Sequence, residues 1–388
     1  MDFNFSDEQL AIQESVGKIC VDFGEDYWLQ RDSDGEFPVE FVEAITAGGW
    51  LGIAMPEEFG GAGLGIFEAA IMSHTIARSG AGFSGASAVH LNLFGPHPIV
   101  VFGSDEQKQR FLPGLIAGRD RACFGVTEPD AGLNTTRLST KATRDGDHYV
   151  LNGQKIWTST AQTANKILII ARTTPYEECE NPVDGLTLFF TDLDRSKIEV
   201  RLIEKMGRKA VDSNAIFIDD LIVPVGDRIG AEGDGWKCLL HGLNPERILI
   251  AAESVGLGQA ALERAAKYAR ERIVFDRPIG KNQAIQHPLA VNWMELEAAQ
   301  LMAFKAAALY DSGQSCGAEA NAAKYLAAEA ALSACQRAVL THGGMGYAKE
   351  YHVERYLREI MIPVIAPVSQ ELIKSFIAEK VLGQSKSY

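Results

Sequence analysis

The hydrophobic period of this chain changes twice along its length, and that limits it to a plan of three parts. Up to about Arg121 the apolar residues recur at helical intervals. Ser6 stands three residues before Gln9 in capping-box spacing, and Leu10, Ile12, Val16 and Ile19 follow one helical face. Phe41, Ile45 and the stretch 69–77 continue that period, with loops at PEEFGGAGLG (56–65) and FGPHP (94–98). Beyond Arg121 the chain switches to short runs rich in β-branched and aromatic residues: HYVLNGQKIW, KILIIAR, GLTLFFTDL, KIEVRLI and AIFIDDLIVP. Turn residues such as Arg144-Asp145-Gly146-Asp147 and Asn181-Pro182 separate them. From Trp236 the helical period returns in alanine-rich stretches at 247–272, 282–310 and 318–341, with charges on the intervening faces. Long helices joined by short loops form up-down bundles. The expected architecture is α+β: an N-terminal helical domain (1–120), a central antiparallel β domain (121–233) and a C-terminal four-helix bundle domain (234–388).

Bulk properties remove several classes of function. The formal charge of -14 leaves no basic excess to displace the counterions of a nucleic acid. It leaves room for an anionic substrate in a local basic pocket. The cysteines, Cys20, Cys123, Cys179, Cys238, Cys316 and Cys335, form no CxxC pair and read as free thiols of a reducing compartment, cytoplasmic or like the mitochondrial matrix. No basic, apolar leader opens the chain, no run of ~18 apolar residues predicts a membrane span, and the final SKSY is not a peroxisomal ending. The histidines form no HExxH or other metal-ligand spacing, and there is no GxSxG elbow. GLGQAA (256–261) fits a dinucleotide fingerprint, yet it lies within a helical run with no strand before it. Its small residues read better as a close helix–helix contact.

Three segments carry chemistry in combination: CFGVTEPDAGLN (123–134), KIWTST (155–160) and HGGMGY (342–347). In this order and at these separations they resemble the acyl-CoA dehydrogenases, which move the α and β hydrogens of acyl-CoA thioesters out with the help of FAD. The likeness runs on through FGSDEQKQRFLP (102–113), KMGRKAVDS (205–213) and RIVFDRPIGKNQAIQ (272–286), so it covers essentially the whole chain. It implies noncovalent FAD, an acyl-CoA substrate, an electron-transfer flavoprotein as acceptor, and a homotetramer built as a dimer of dimers. By the same resemblance Phe124, Val126 and Thr127 line the pyrimidine side of the flavin, with Gly132 and Leu133 beyond them. Trp157 lies beside the ring, and Thr158 and Ser159 hydrogen-bond to it. Arg272, Phe275 and Gln283 reach the FAD of a neighbouring subunit, where an arginine fork suits a pyrophosphate. Leu340, Gly343 and Gly344 approach the neighbour's adenosine phosphate, and Ser369 and Glu371 complete the cofactor set. Leu133, Leu243, Asn244 and Arg247 face the substrate. Each has a plainer reading as well: a turn at 129–132, a core Trp157, an exposed Arg272, a helix C-cap at Gly343.

Dehydrogenation needs a carboxylate over the substrate α-carbon, its proton affinity raised by burial. Most of the family carries that glutamate just before Gly-Thr near the C-terminus. Counting from Arg358, the slot here holds Pro367, which offers neither an acid nor an N–H for the thioester carbonyl. A minority of the family places the glutamate on the bundle helix immediately before an arginine. NPERI supplies it as Glu246, followed by Arg247. The competing reading makes Asn244-Pro245-Glu246 a helix start, with asparagine as cap, proline next and an acid in the first turn. Leu133, Leu340 and Asn244 also depart from the residues usual in the family, which marks a divergent branch. Two alternatives stay open beside the dehydrogenase: a same-fold flavoenzyme of other chemistry (a nitroalkane-type oxidase or an acyl-CoA desulfinase), and a flavin-loaded binding protein without catalysis.

Overall fold

The computed structural model describes residues 4–386. The Ser6 hydroxyl accepts the Gln9 N–H and the Gln9 side chain accepts the Ser6 N–H, so the expected capping box opens α1 (Asp7–Val21). The buried stripe of α1 is Ile12, Val16 and Cys20, whereas Leu10, expected on it, stands exposed. Helices α2 (Glu25–Asp34), α3 (Val39–Ala47), α4 (Ile66–Ile76), α5 (Gly82–Phe94), α6 (His97–Phe102) and α7 (Asp105–Ile116) complete the N-terminal part. Every residue of α5 is buried. A helix hydrophobic all round belongs in the middle of a protein, and α5 packs against both the last helical region and the first strand.

The central strands are β1 (Ala122–Gly125), β2 (Lys141–Asp145), β3 (His148–Ser159), β4 (Lys166–Arg172), β5 (Leu186–Asp192), β6 (Ile198–Leu202), β7 (Ser213–Pro224) and β8 (Arg228–Ile229). They form one sheet in the order β6-β7-β3-β2-β4-β5-β8, with β1 also against β4. The expectation of a purely antiparallel domain needs correcting. β1 runs parallel to β4, and β2 meets β4 in parallel at Lys141–Arg172. Hairpin-linked neighbours must be antiparallel, but β1 and β4 are joined through the whole β2–β3 excursion and are free of that constraint.

The last third holds α8 (Gly235–Glu271), a short hairpin of β9 (Ile273–Val274) and β10 (Arg277–Pro278), then α9 (Gln283–Asp311) and α10 (Gly317–His342). The fourth position of the bundle is taken by three short helices against α10: α11 (Val353–Glu359), α12 (Met361–Ile365) and α13 (Gln370–Lys380). By length and composition 353–380 is apolar enough to cross a bilayer, which the sequence reading did not expect, but the break at 366–369 divides it. Asn244-Pro245-Glu246 is not a helix start. α8 is continuous over 37 residues with Pro245 inside it. Proline in a helix interior costs about 3 kcal/mol. Burial of Cys238, Leu239 and Gly242 ahead of it and of the run from Ile248 onward holds the two segments in line. The fingerprint-like glycines are packing residues. A Cβ on Gly256 would stand 2.5 Å from the His74 carbonyl, and one on Gly258 would stand 2.6 Å from Leu296.

Candidate active site

The middle of α8 presents a carboxylate in an unusual state. Glu246 Oε2 is shut away from solvent and has no hydrogen-bond partner among the described residues. Burial pushes the Glu246 carboxyl up to about 7, against the pull of Arg247 and Lys324, while Glu253 adds to the rise. Arg247 donates to Asn244 Oδ1 at 2.9 Å, and its buried Nε has no partner among the described residues. Leu243 and Asn244 are half-buried on the preceding turn.

Lys324 of α10 closes the other side. It is wholly buried and donates to the Val368 carbonyl at 2.6 Å, pinning the segment that holds Pro367. Burial, with Arg247 adding to it, lowers the Lys324 ammonium to about 8. Ser369 caps α13 by accepting the Leu372 N–H at 3.2 Å, and Glu371 lies exposed in the first turn.

A second group gathers at the sheet. Phe124 lies next to the end of β1, and Val126 and Thr127 follow the strand. This turn is braced from inside. Lys155 Nζ donates to the Val126 carbonyl at 3.1 Å and to Glu128 Oε1 at 2.8 Å, and the Thr127 carbonyl accepts the Ile156 N–H. Glu128 also accepts the N–H groups of Ser139 and Thr140 and the Ser139 hydroxyl. Burial pushes the Glu128 carboxyl up, but Lys155 and these donors outweigh it and bring it down to about 2. Gly132 and Leu133 are exposed just beyond.

Trp157 sits where the β3–β7 register slips, with φ at 62° and its side chain exposed. A bulky residue there is a backbone outlier, and such outliers cluster at ligand sites. Thr158 Oγ1 is buried without a partner among the described residues. Ser159 Oγ accepts from Arg208 at 2.9 Å. An exposed indole on a strained bulge beside an orphaned hydroxyl fits a planar, hydrogen-bonding group such as a flavin.

The remaining expected residues lie elsewhere. Arg272 caps the C-terminal end of α8, Phe275 tips the β9–β10 hairpin at φ 51° and 94% exposure, Gln283 opens α9, and Leu340 is exposed on α10. Gly343 has φ 60°, and the space beside it and Gly344 is open. From Glu246 to Arg272 the helix runs 26 positions, ~40 Å at the usual rise. The expected residues therefore fall into three groups: one around Glu246, one at the sheet, and one at the end of α8, the start of α9 and the end of α10.

Sequence reasoning missed the supports. Lys155 follows Tyr149 and Leu151 on the inward parity of β3, and Lys324 shares a stripe with Ala320, Ala327 and Ala331. In each case a lysine among inward positions was the available signal. His90 and Glu253, joined at 2.6 Å across α5 and α8, are a further buried pair.

Residues 6–119 match the family model of the acyl-CoA dehydrogenase N-terminal domain, 123–221 that of the middle domain and 233–382 that of the C-terminal domain. The chain belongs to the acyl-CoA dehydrogenase family, and with that membership it is an FAD-dependent oxidoreductase. It is 37% identical to acyl-CoA dehydrogenase FadE12 of Mycobacterium tuberculosis over 389 residues, 99% of this chain and 98% of that protein. Among solved structures, the glutaryl-CoA complex of glutaryl-CoA dehydrogenase is 34% identical with a TM-score of 0.94, covering 100% of this chain and 98% of that one. The FAD complex of PigA is 27% identical with a TM-score of 0.93, covering 98% and 99%.

Proposed function

We propose that the protein oxidises an acyl-CoA thioester to its trans-2-enoyl-CoA, with Glu246 as the base that removes the α-proton. The observation that carries this is the buried, unpartnered Glu246 Oε2, held near neutral pH in proton affinity. A general base works best when its pKa lies near the working pH. Arg247 and Lys324 lend positive charge to a pocket in which an enolate-like charge develops, and Lys324 fixes the wall at 366–369 through Val368. FAD, when bound, supplies the acceptor for the hydride leaving the β-carbon. Phe124, Val126, Thr127, Trp157, Thr158 and Ser159 hold its ring side in this reading.

The distant group serves the cofactor of another subunit. Arg272, Gln283, Gly343 and Gly344 are exposed, and the apolar Phe275, Trp293, Met294 and Leu301 lie exposed on the same hairpin and on α9. Exposed apolar patches of this kind mark interfaces. We take the assembly to be a homotetramer and the electron acceptor to be an electron-transfer flavoprotein, as the family resemblance implies.

The test is anaerobic. Addition of acyl-CoA thioesters to the yellow holoprotein is expected to bleach the flavin absorbance near ~450 nm, and the released product is expected to be the enoyl thioester. Bleaching by nitroalkanes but by no thioester, or by neither, would sink the proposal.

A further inference from the structure

Glu253 is a buried acid that the proton transfer above does not use. It follows Glu246 by seven positions on the same face of α8, ~10 Å further along the helix. The residue is 0% exposed. One carboxylate oxygen meets His90 Nδ1 at 2.6 Å, and the other, Oε2, has no hydrogen-bond partner among the described residues. A dry carboxylate oxygen left without a donor is destabilising, and native proteins rarely keep one without a use.

The surroundings tie this pair to the proposed site. His90 packs edge-on to Phe94, with ring centres 5.4 Å apart, and Phe94 packs edge-on to Phe124 at 5.8 Å. One turn back on α5, Ser87 accepts from Arg208, and the same guanidinium reaches Ser159. The pair therefore lies between α5 and α8, behind the residues expected to hold the flavin.

The direction of α8 says which part of a substrate would come here. Ahead of Glu246 the helix emerges into solvent at Leu240 and His241. Beyond it, every residue from Ile248 to Leu262 is buried. Coenzyme A is large and anionic and belongs on the solvent side. A tail extending inward from a thioester at Glu246 would run toward Glu253.

Resting on the dehydrogenase reading, we propose that the acyl tail follows the buried side of α8 from Glu246 and that Glu253 and His90 form a polar subsite at its far end. It selects an acyl-CoA whose chain carries a neutral hydrogen-bond donor, a hydroxyl or an amide N–H, near its far end. Glu253 Oε2 accepts that donor. The Arg208 guanidinium lies close enough for the two charges to interact, so a neutral donor suits the carboxylate better than a second cation. A terminal carboxylate would meet Glu253 as a like charge and be rejected.

Three CoA thioesters of equal chain length decide the matter: plain, terminally hydroxylated and terminally carboxylated. Each is mixed anaerobically with holoenzyme, and kcat/KM is read from flavin bleaching. The hydroxylated thioester is expected to lead the plain one by at least ~10-fold, since sites built around a buried hydrogen bond discriminate strongly against substrates lacking it. The carboxylated one is expected to be the poorest. Glu253→Leu should reverse the order in favour of the plain thioester, and Glu253→Gln should keep part of the preference. Calorimetric titration of unreacted hydroxyacyl-CoA into Glu246→Gln holoenzyme should show the same ranking in affinity. Equal kcat/KM for the plain and hydroxylated thioesters in the unmodified enzyme would overturn this subsite alone. Bleaching by none of the three would overturn the dehydrogenase reading along with it.

Discussion

Glu128 in the β domain and Glu246 in the bundle are both withdrawn from water, and they end at opposite extremes. Glu128 is met by Lys155, by two backbone N–H groups and by a hydroxyl, and its proton affinity falls to about 2. Glu246 has an oxygen with no donor among the described residues, and its affinity rises to about 7. Burial acts on both in the same direction, so the difference comes from the partners. A carboxylate saturated with donors is a brace, and here it holds the Val126–Thr127 turn in place through Lys155. A carboxylate left short of donors is a reagent waiting for a proton.

The sharpest way to break this contrast is to remove the reagent. Glu246→Gln is expected to slow flavin reduction by acyl-CoA by ~10²–10⁴-fold, the usual reach of a general base, while FAD stays bound. Stopped-flow absorbance under anaerobic conditions measures it, and a near-normal rate would end the assignment. The brace should fail differently. Lys155→Met leaves Glu128 buried without its cation, a change worth up to about 3–5 kcal/mol. Urea unfolding of the holoprotein should register that loss, and ultrafiltration should recover more free FAD. Adding Glu128→Gln should restore part of the stability, and a single variant as stable as the parent would remove the brace from the account. The smallest effect is the one of pH. Glu246 acts only when ionised and its affinity is raised. Flavin reduction should therefore climb about tenfold per unit as pH rises toward about 7 and then level off. A profile already flat at about pH 5 would contradict the raised affinity.

Which parts were legible follows from how far each signal reaches along the chain. The changes of period are local, and the three-part plan was readable from them. So was Ser6 with Gln9, a device complete within four residues. The parallel pairing of β1 with β4 was not, because Ala122 meets Lys166 across the intervening hairpin. The stretch around Pro245 misled for another reason. Asn-Pro-Glu has the chemistry of a helix start, and only packing of the residues on both sides carries the helix through it. Glu246 could be singled out by its place before Arg247 and by the empty acid slot at Pro367, but its orphaned oxygen could not. Lys324 beneath Val368, and His90 against Glu253, join residues 44 and 163 positions apart, distances over which sequence pattern carries no pairing signal.

The length of α8 has a consequence for mixed populations of the protein. On the proposed reading its middle carries the base of one site, and Arg272, the cap at its far end, is offered to another. A chain crippled at Glu246 still lends an intact clamp, and a chain crippled at Arg272 still lends an intact base. Two such chains, each inert when purified alone, should regain a minority of working centres when refolded together, through subunits that make good each other's defects. In a cell carrying both alleles, the pair would complement although neither gene product works by itself.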